Sequence, residues 1–316
     1  MHPYELQIIN FMKTVAKTSV PVDELLLKPA EADVKHYIRK MMEEDPNRPF
    51  VLRLSAIGRP VCQQQMEQNK ASAVDDDWNF PLRMMYGGII EGLTVSIIRH
   101  AGIKIDEEQT HVILPVNGVD IPGTLDIVLD GKVWDIKSAS SYAFKEKFTS
   151  YEALAAQDTF GYLCQLYGYS KARGLPPGGW IVIDKSSGCI KVLPVPDNWQ
   201  PEMDRCLSII ENNVKILSTK EEFKRCFEAL DEKFQKRFTG NKILGTECSF
   251  CKYRYSCWPE LKYLPNPNSK AYERTYRYYT QINTQETNVH SLLQSQGEAV
   301  AEAGCRENTP ALPFFG

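Results

Sequence analysis

The stretch of residues 123–137 constrains this chain more than any other. Two runs of β-branched and apolar residues lie on either side of Asp130-Gly131. That dipeptide favours a two-residue hairpin turn with positive φ at both central positions. We therefore predict a β-hairpin in which Leu129 pairs with Lys132.

This register brings two carboxylates together. Counting outward from the turn places Asp126 opposite Asp135 and Thr124 opposite Lys137, all on one face. Directly opposed residues have Cβ atoms about 5 Å apart, and like charges there destabilise a sheet. A divalent cation between the carboxylates would offset the repulsion; a solvated face with scattered charges is the alternative. The opposite face is predicted to be apolar and to pack on the core, and it comprises Leu125, Ile127, Leu129, Trp134 and Ile136.

These residues resemble the core motif of a nuclease superfamily. Gly123-x-x-Asp126 followed by Asp135-x-Lys137 is similar to the Asp…(Asp/Glu)-x-Lys pattern of the PD-(D/E)XK nucleases. The resemblance covers roughly residues 55–258. It implies an α/β fold with a restriction-endonuclease-like mixed β-sheet flanked by helices, and hydrolysis of DNA phosphodiester bonds with Mg²⁺ or Mn²⁺.

The same resemblance implies roles for individual residues. Asp126, Asp135 and the main-chain carbonyl of Ile136 are expected to hold the catalytic metal. Lys137 is expected to position the attacking water or to stabilise the developing charge.

A further metal ligand is expected from a helix predicted over residues 82–100. In the resembling family a Gly followed four residues later by His or Glu supplies one, and Gly87 to Glu91 matches that spacing. Gly87, Gly88 and Gly92 each cost close to 1 kcal/mol relative to Ala in a helix. They therefore indicate a close approach of this helix to the sheet or to a phosphodiester backbone. An exposed helical Glu91 is the alternative.

A second helix, predicted over about 150–173, carries a polar and aromatic stripe. Asp158, Tyr162, Gln165 and Tyr169 occupy positions i, i+4, i+7 and i+11. Gln165-x-x-x-Tyr169 resembles the additional motif of the RecB-like branch of the superfamily. That likeness implies that the two side chains orient the catalytic lysine or contact DNA; a Tyr-rich packing face is the alternative.

The cysteines form the second strong motif. Cys248-x2-Cys251-x5-Cys257 places three thiols close together, and such spacing favours a metal site over a redox pair. The motif resembles that of the iron–sulfur members of the branch, such as the CRISPR-associated and AddB-type cluster exonucleases. The resemblance implies Cys62 as the fourth ligand of a 4Fe–4S cluster, with structural Zn²⁺ as the alternative. The other cysteines are interpreted as ordinary thiols: Cys164, Cys189, Cys206, Cys226 and Cys305.

The chain is expected to have three regions. Residues 1–50 form a helical N-terminal appendage, 51–265 the nuclease domain whose two ends make a four-cysteine cap, and 266–316 a C-terminal segment that is flexible at its end. No basic segment followed by an apolar run begins the chain, and no run of about 18 apolar residues occurs. A cytoplasmic protein without membrane association is therefore expected.

DNA affinity must come from local patches, because the net charge is only −3. Between Lys233 and Arg277 there are ten Lys or Arg residues against three Glu, interleaved with aromatic residues. Such a composition suits single-stranded DNA; packing of the aromatic residues around the cluster is the alternative.

The expected function is that of a metal-dependent DNA exonuclease acting on single strands or DNA ends in recombination, repair or replication. A structure-selective or nicking endonuclease and a non-catalytic DNA end-binding accessory protein are the alternatives. Residues 309–316, with Phe314 and Phe315, are expected either to pack on the core or to anchor a replication or recombination partner.

Overall fold

The computed structural model describes residues 1–45, 48–74, 80–234, 236–266, 269 and 275–283. The predicted anchor at 309–316 and Cys305 lie outside the described residues. The chain divides into two compact units. The first comprises Met1–Cys226 and Cys251–Cys257, and the second comprises Phe227–Phe250 and the described residues from Trp258 onward. Residues 1–50, expected to form an appendage, lie within the first unit.

The first unit is built on a five-stranded mixed sheet with the strand order β1-β2-β3-β4-β5. β3 and β4 are parallel, and the other neighbouring pairs are antiparallel. The predicted α/β fold with a mixed sheet flanked by helices is confirmed. The strands are Glu107–Val116 (β1), Val119–Leu129 (β2), Lys132–Ala139 (β3), Pro177–Asp184 (β4) and Ile190–Pro194 (β5).

Helices cover both faces of this sheet, so the sheet has two core clusters. One cluster joins Val128 and Val182 of the sheet to Leu54, Leu166 and Ile210. The other joins sheet residues to Ile8 and Ile98. The helices of this unit are Pro3–Val15 (α1), Glu24–Glu43 (α2), Leu54–Ile57 (α3), Val61–Gln68 (α4), Phe80–His100 (α5), Ser141–Glu146 (α6), Tyr151–Ala156 (α7), Tyr162–Arg173 (α8) and Gln200–Thr219 (α9), with a 3₁₀ turn at Lys147–Thr149 and a helical turn at Arg254–Cys257.

The predicted two-residue turn is confirmed. Asp130 and Gly131 have φ values of 48° and 68°, and Leu129 pairs with Lys132. The turn between β1 and β2, at residues 117–118, also has positive φ at both positions, 51° and 77°. Such turns match the right-handed twist of the strands that they join.

The predicted division of the hairpin into one polar and one apolar face is wrong at Leu125. Leu125 lies in the same core cluster as Val128, whereas Ile127 lies in the cluster on the other face. Strict alternation therefore breaks between Leu125 and Val128. The break lies beside Gln109 of β1, whose left-handed backbone has φ 46°. Gln109 lies between Glu108, which pairs with Ile127, and Thr110, which pairs with Leu125.

The helix predicted over 150–173 is interrupted. α7 ends at Ala156 and α8 begins at Tyr162. Between them Gly161 has φ +74°, and a Cβ on Gly161 would lie 2.4 Å from the carbonyl carbon of Gly58. The interruption allows the chain before α8 to pack directly against the end of α3.

The second unit contains a four-stranded antiparallel sheet with the order β6-β7-β9-β8. Its strands are Leu230–Phe234 (β6), Arg237–Ile243 (β7), Lys262–Pro265 (β8) and Tyr276–Gln281 (β9). The helix before this sheet, α9, ends at Thr219, and β6 begins at Leu230. The carboxylate of Glu232 in β6 is 1 % exposed and accepts hydrogen bonds from Arg277 and Tyr279 of β9. These contacts with a distant segment stabilise β6 as a strand.

No helix within the described residues is both long enough and apolar enough to span a membrane.

Candidate active site

β2 and β3 separate where the predicted acidic residues lie. The recorded pairing of the two strands ends at Ile127 and Trp134. Beyond that pair the main-chain N–H of Ile136 donates to Oδ2 of Asp126 at 2.7 Å. A side-chain carboxylate thus takes the place of a main-chain acceptor, and Asp126 is held over the edge of β3.

Asp135 and Lys137 are two residues apart on β3 and point to the same face. Lys137 Nζ donates to Oδ1 of Asp135 at 2.8 Å and lies 2.7 Å from Oδ2. Oδ2 of Asp135 is buried and receives no hydrogen bond of good geometry from the described residues. The side chain of Asp135 is 1 % exposed and that of Lys137 18 %, so this ion pair is almost fully desolvated.

Burial raises the pKa of both acids. Burial, followed by the charges of Glu91 and Asp135, raises the pKa of Asp126 well above its ordinary value. Burial also raises the pKa of Asp135, although the charge of Lys137 opposes that rise. Burial opposes the charge of Lys137, but the Asp135 and Asp126 carboxylates outweigh it and raise the pKa of Lys137. The ammonium therefore stays charged beside acids that favour protonation.

Glu91 of α5 belongs to the same electrostatic group. Its Oε1 accepts a hydrogen bond from Nε2 of Gln109 at 2.6 Å. Burial raises the pKa of Glu91 to about 7; Asp135 and Asp33 add to the rise, whereas Lys137 and Gln109 oppose it. The left-handed Gln109 that breaks β1 thus holds the predicted third acid near the other two.

Two of the three helical glycines, Gly88 and Gly92, have a reason other than the expected one. A Cβ on Gly88 would lie 2.2 Å from the ring of Tyr37, and one on Gly92 would lie 2.5 Å from Oδ2 of Asp33. The close approach of these two glycines is therefore to α2, which lies in the region expected to be an N-terminal appendage. The shared i, i+4 spacing of Gly88 with Gly92 and of Asp33 with Tyr37 is the signal that could have revealed it.

The stripe on α8 begins at Tyr162. The Tyr162 ring centroid lies 5.3 Å from Lys137 Nζ, and Gln165 hydrogen-bonds Tyr169. A Cβ on Gly123 would lie 2.6 Å from Cε1 of Tyr169, so the glycine of the predicted motif makes room for this ring. The α8 face thus closes one side of the acidic site.

Asp158 has a different role from the other predicted members of the stripe. It precedes α8 and accepts the N–H groups of Tyr162 and Leu163, both at 2.9 Å. Asp158 therefore caps the N-terminus of the helix.

The predicted cysteine ligands are distributed over both units. Cys62, Cys251 and Cys257 belong to the first unit, and Cys248 belongs to the second. The N–H of Cys62 donates to Sγ of Cys226 at 3.2 Å. Cys226, interpreted from the sequence as an ordinary thiol, therefore contacts a predicted ligand.

Hydrogen bonds attach the segment 251–257 to other parts of the first unit. The N–H of Val74 donates to the carbonyl of Lys252 at 2.7 Å, and the Arg225 guanidinium donates to the carbonyl of Cys257 at 3.0 and 2.8 Å. The segment that carries two predicted thiols is thus fastened to residues beyond α4 and beyond α9.

No ready-made metal centre is present in the described ranges: no three or more His, Cys, Asp or Glu side chains are grouped there so that they could hold an ion. This holds for the acids and for the thiols. Neither the catalytic metal nor the four-cysteine cap is shown.

Comparison with known proteins yields no family model that matches the chain, and no match among curated proteins. Two solved structures show a distant likeness. The protein SSO0001 is 14 % identical with a TM-score of 0.39, over 71 % of this chain and 93 % of that one. A "putative exonuclease" from Eubacterium rectale is 12 % identical with a TM-score of 0.35, over 66 % and 91 %. At these TM-scores neither likeness defines a fold or a function for this chain.

Proposed function

We propose that this protein is a metal-dependent DNA exonuclease that acts on single strands or free ends. One observation carries the proposal: Asp126 and Asp135 are buried next to each other where β2 and β3 separate, and Lys137 contacts Asp135. Adjacent buried acids are destabilising unless something compensates their charge. A site that keeps them has a chemical use for them.

The donor set suits a hard divalent cation, because the available atoms are carboxylate and carbonyl oxygens. Asp135 Oδ2 is buried and without a good hydrogen bond. The main-chain N–H of Ile136 donates to Asp126. The carbonyl of Ile136 lies on the same edge of β3 as this N–H. In this proposal Asp126, Asp135, Glu91 and the Ile136 carbonyl hold Mg²⁺ or Mn²⁺. The bound ion would lower the pKa of a water and neutralise phosphoryl charge.

Lys137 is the residue best placed to act on the reacting groups. The raised pKa keeps its ammonium charged, and its contact with Asp135 fixes its direction. It can donate to an attacking water or to a phosphoryl oxygen. Gln165 and Tyr169, hydrogen-bonded to each other, support this side of the site from α8.

We further infer that Cys62, Cys248, Cys251 and Cys257 hold a 4Fe–4S cluster, with structural Zn²⁺ as the competing occupant. Thiolates suit both. Support comes from the placement of three of these cysteines in the first unit and from the hydrogen bonds that hold the segment 251–257 there. Such a group would join chain segments on either side of the sheet-forming region.

Cleavage of labelled DNA tests the enzymatic proposal. Purified full-length protein is incubated with end-labelled linear single-stranded and double-stranded DNA and with closed circular single-stranded DNA, in Mg²⁺, Mn²⁺ or EDTA. The proposal expects metal-dependent loss of linear DNA while circular DNA persists. Cleavage of the circle would indicate an endonuclease instead, and binding without cleavage under every metal condition would indicate an end-binding accessory protein.

A further inference from the structure

Three aromatic rings stack beside the acidic site and form what we call the aromatic platform: Phe148, Tyr162 and Phe160. The ring centroids of Phe160 and Tyr162 are 5.7 Å apart with an interplanar angle of 18°, and those of Phe148 and Tyr162 are 5.9 Å apart at 27°. Lys147 Nζ lies 4.5 Å from the Tyr162 centroid and 5.0 Å from the Phe160 centroid. The platform is thus fixed by packing and by a buried cation.

The platform presents its outermost ring close to the reacting groups. Phe148 is 3 % exposed, but Phe160 is 54 % exposed. Tyr162 is the ring that also contacts Lys137, at 5.3 Å from Nζ. The Tyr162 ring therefore lies between Phe160 and Lys137, the residue that we place at the phosphoryl group. The exposed part of the Phe160 ring offers a surface on which a further ring can stack.

Arg59 follows a glycine that contacts the main chain of the aromatic platform. Gly58, the residue before Arg59, packs against Gly161, the residue between Phe160 and Tyr162; a Cβ on Gly58 would lie 2.9 Å from the Gly161 carbonyl oxygen. The main chain of Arg59 is fixed as well. Its carbonyl accepts from Nε2 of Gln64 at 2.9 Å.

One donor of the Arg59 guanidinium has no hydrogen-bond partner among the described residues. Its Nε is fully buried and makes no hydrogen bond. Burial is the largest cause that lowers the pKa of Arg59; the charge of Arg53 adds to it, whereas Glu67 and Tyr162 oppose it. A cation in this situation is completed by an anion, and a backbone phosphate matches the geometry of a guanidinium.

We propose that Arg59 and Phe160 form a nucleotide subsite beside the acidic site, in which the guanidinium binds a backbone phosphate and the Phe160 ring stacks on an unpaired base. This inference rests on the proposed nuclease function and names the substrate feature that the site reads. A base inside a duplex is already stacked on both faces, so the half-exposed ring of Phe160 suits single-stranded DNA.

The base contact is tested with full-length Phe160→Leu and Phe160→Trp and with a set of single-stranded oligonucleotides, each carrying one abasic position. Base stacking on an aromatic residue is worth about 1–3 kcal/mol, or roughly 5- to 150-fold. We expect one abasic position near the cleaved bond to raise KM by that factor in wild type and to cost nothing more in Phe160→Leu. Phe160→Trp should retain the preference for a base. Tyr142→Leu is the control, because Tyr142 is 75 % exposed and lies outside the platform.

The phosphate contact is tested with Arg59→Gln and Arg59→Lys and with oligonucleotides carrying one neutral methylphosphonate linkage. One linkage should weaken binding by wild type several-fold and should have no further effect on Arg59→Gln. Melting temperatures identify misfolded variants. If Arg59→Gln does not fold, Arg59→Lys, which keeps the positive charge but not the guanidinium geometry, takes its place in the test.

Binding in EDTA, followed by fluorescence anisotropy, separates this proposal from the enzymatic one. If wild type cleaves no DNA but the abasic and methylphosphonate effects persist in binding, the subsite stands and the nuclease function fails. If wild type cleaves DNA, and Phe160→Leu discriminates against the abasic strands as wild type does, the subsite is wrong and the nuclease function stands.

Discussion

Oδ2 of Asp126 accepts the main-chain N–H of Ile136 at 2.7 Å. The hairpin has regular main-chain pairing from Leu129 and Lys132 to Ile127 and Trp134. Beyond those residues the acceptor is the Asp126 side chain and not a main-chain carbonyl. β3 remains in register with β4 on its other side, where Asp135 pairs with Trp180. The acidic site is therefore an opening between β2 and β3, and β3 stays paired with β4 on its other edge.

Removal of one buried acid should change how the protein responds to metal. In EDTA, Asp126→Asn should be at least as stable as wild type, because a buried repelling charge is lost. Mg²⁺ or Mn²⁺ should raise the melting temperature of wild type and not that of Asp126→Asn. A metal ion present at 100 times its Kd raises the free energy of unfolding by about 2.7 kcal/mol. Cleavage should be abolished in the variant. Asp120→Asn, at an exposed position of the same strand, is the control, and an equal metal response in Asp126→Asn would refute the site.

Two adjacent glycines of α5 should respond oppositely to the same substitution. Gly88→Ala should destabilise by about 1–3 kcal/mol through overpacking, because its Cβ would lie 2.2 Å from the Tyr37 ring. Gly87→Ala should stabilise by up to about 1 kcal/mol, because its Cβ would meet only Ser138 Oγ, at 3.7 Å. Urea unfolding measures both, and Tyr37→Ala should relieve the Gly88→Ala defect. Equal stability of the two variants would mean that α2 does not pack at Gly88.

The thiol proposal predicts a coloured protein. Anaerobically prepared wild type should contain iron and should show the broad visible absorption of thiolate-bound clusters. Cys62→Ser or Cys251→Ser should lose iron and solubility, whereas Cys189→Ser, at an exposed thiol, should keep both. Cys226→Ser tests whether the neighbour of Cys62 takes part. Stoichiometric zinc without iron in elemental analysis would replace the cluster with structural Zn²⁺.

Acid should weaken the second unit through Glu232. Burial opposes ionisation of Glu232, but hydrogen bonds from Asn241, Thr239, Tyr279 and Arg277 outweigh burial and lower its pKa below the ordinary 4.5. A lowered folded pKa contributes stability above the unfolded pKa, and that stability is lost as the pH falls through the folded pKa. Hydrogen exchange in β6 and β7 should therefore accelerate in acid.

Glu232→Gln is the matched variant for this pH dependence. It should be less stable at neutral pH and should have a flatter pH profile, because Gln does not titrate in this range. A profile as steep as that of wild type would assign the acid sensitivity to other carboxylates.

Local sequence determined the turns and the register that starts from them. Asp130-Gly131 specifies a two-residue turn because both positions need positive φ, and the pairing of Leu129 with Lys132 follows from the length of that turn. The mixed sheet flanked by helices was expected from the resemblance of the motif to the nuclease superfamily, and not from local sequence alone.

Only the tertiary structure decided the contacts between distant segments. The break in alternation at Leu125 lies beside the left-handed Gln109 of another strand. Gly58, the residue before Arg59, contacts Gly161, the residue after Phe160, although the two glycines are remote in sequence. Periodicity reports which way a side chain points within its own element. It carries no information about which element packs there, because that choice depends on the shape and burial of residues far along the chain.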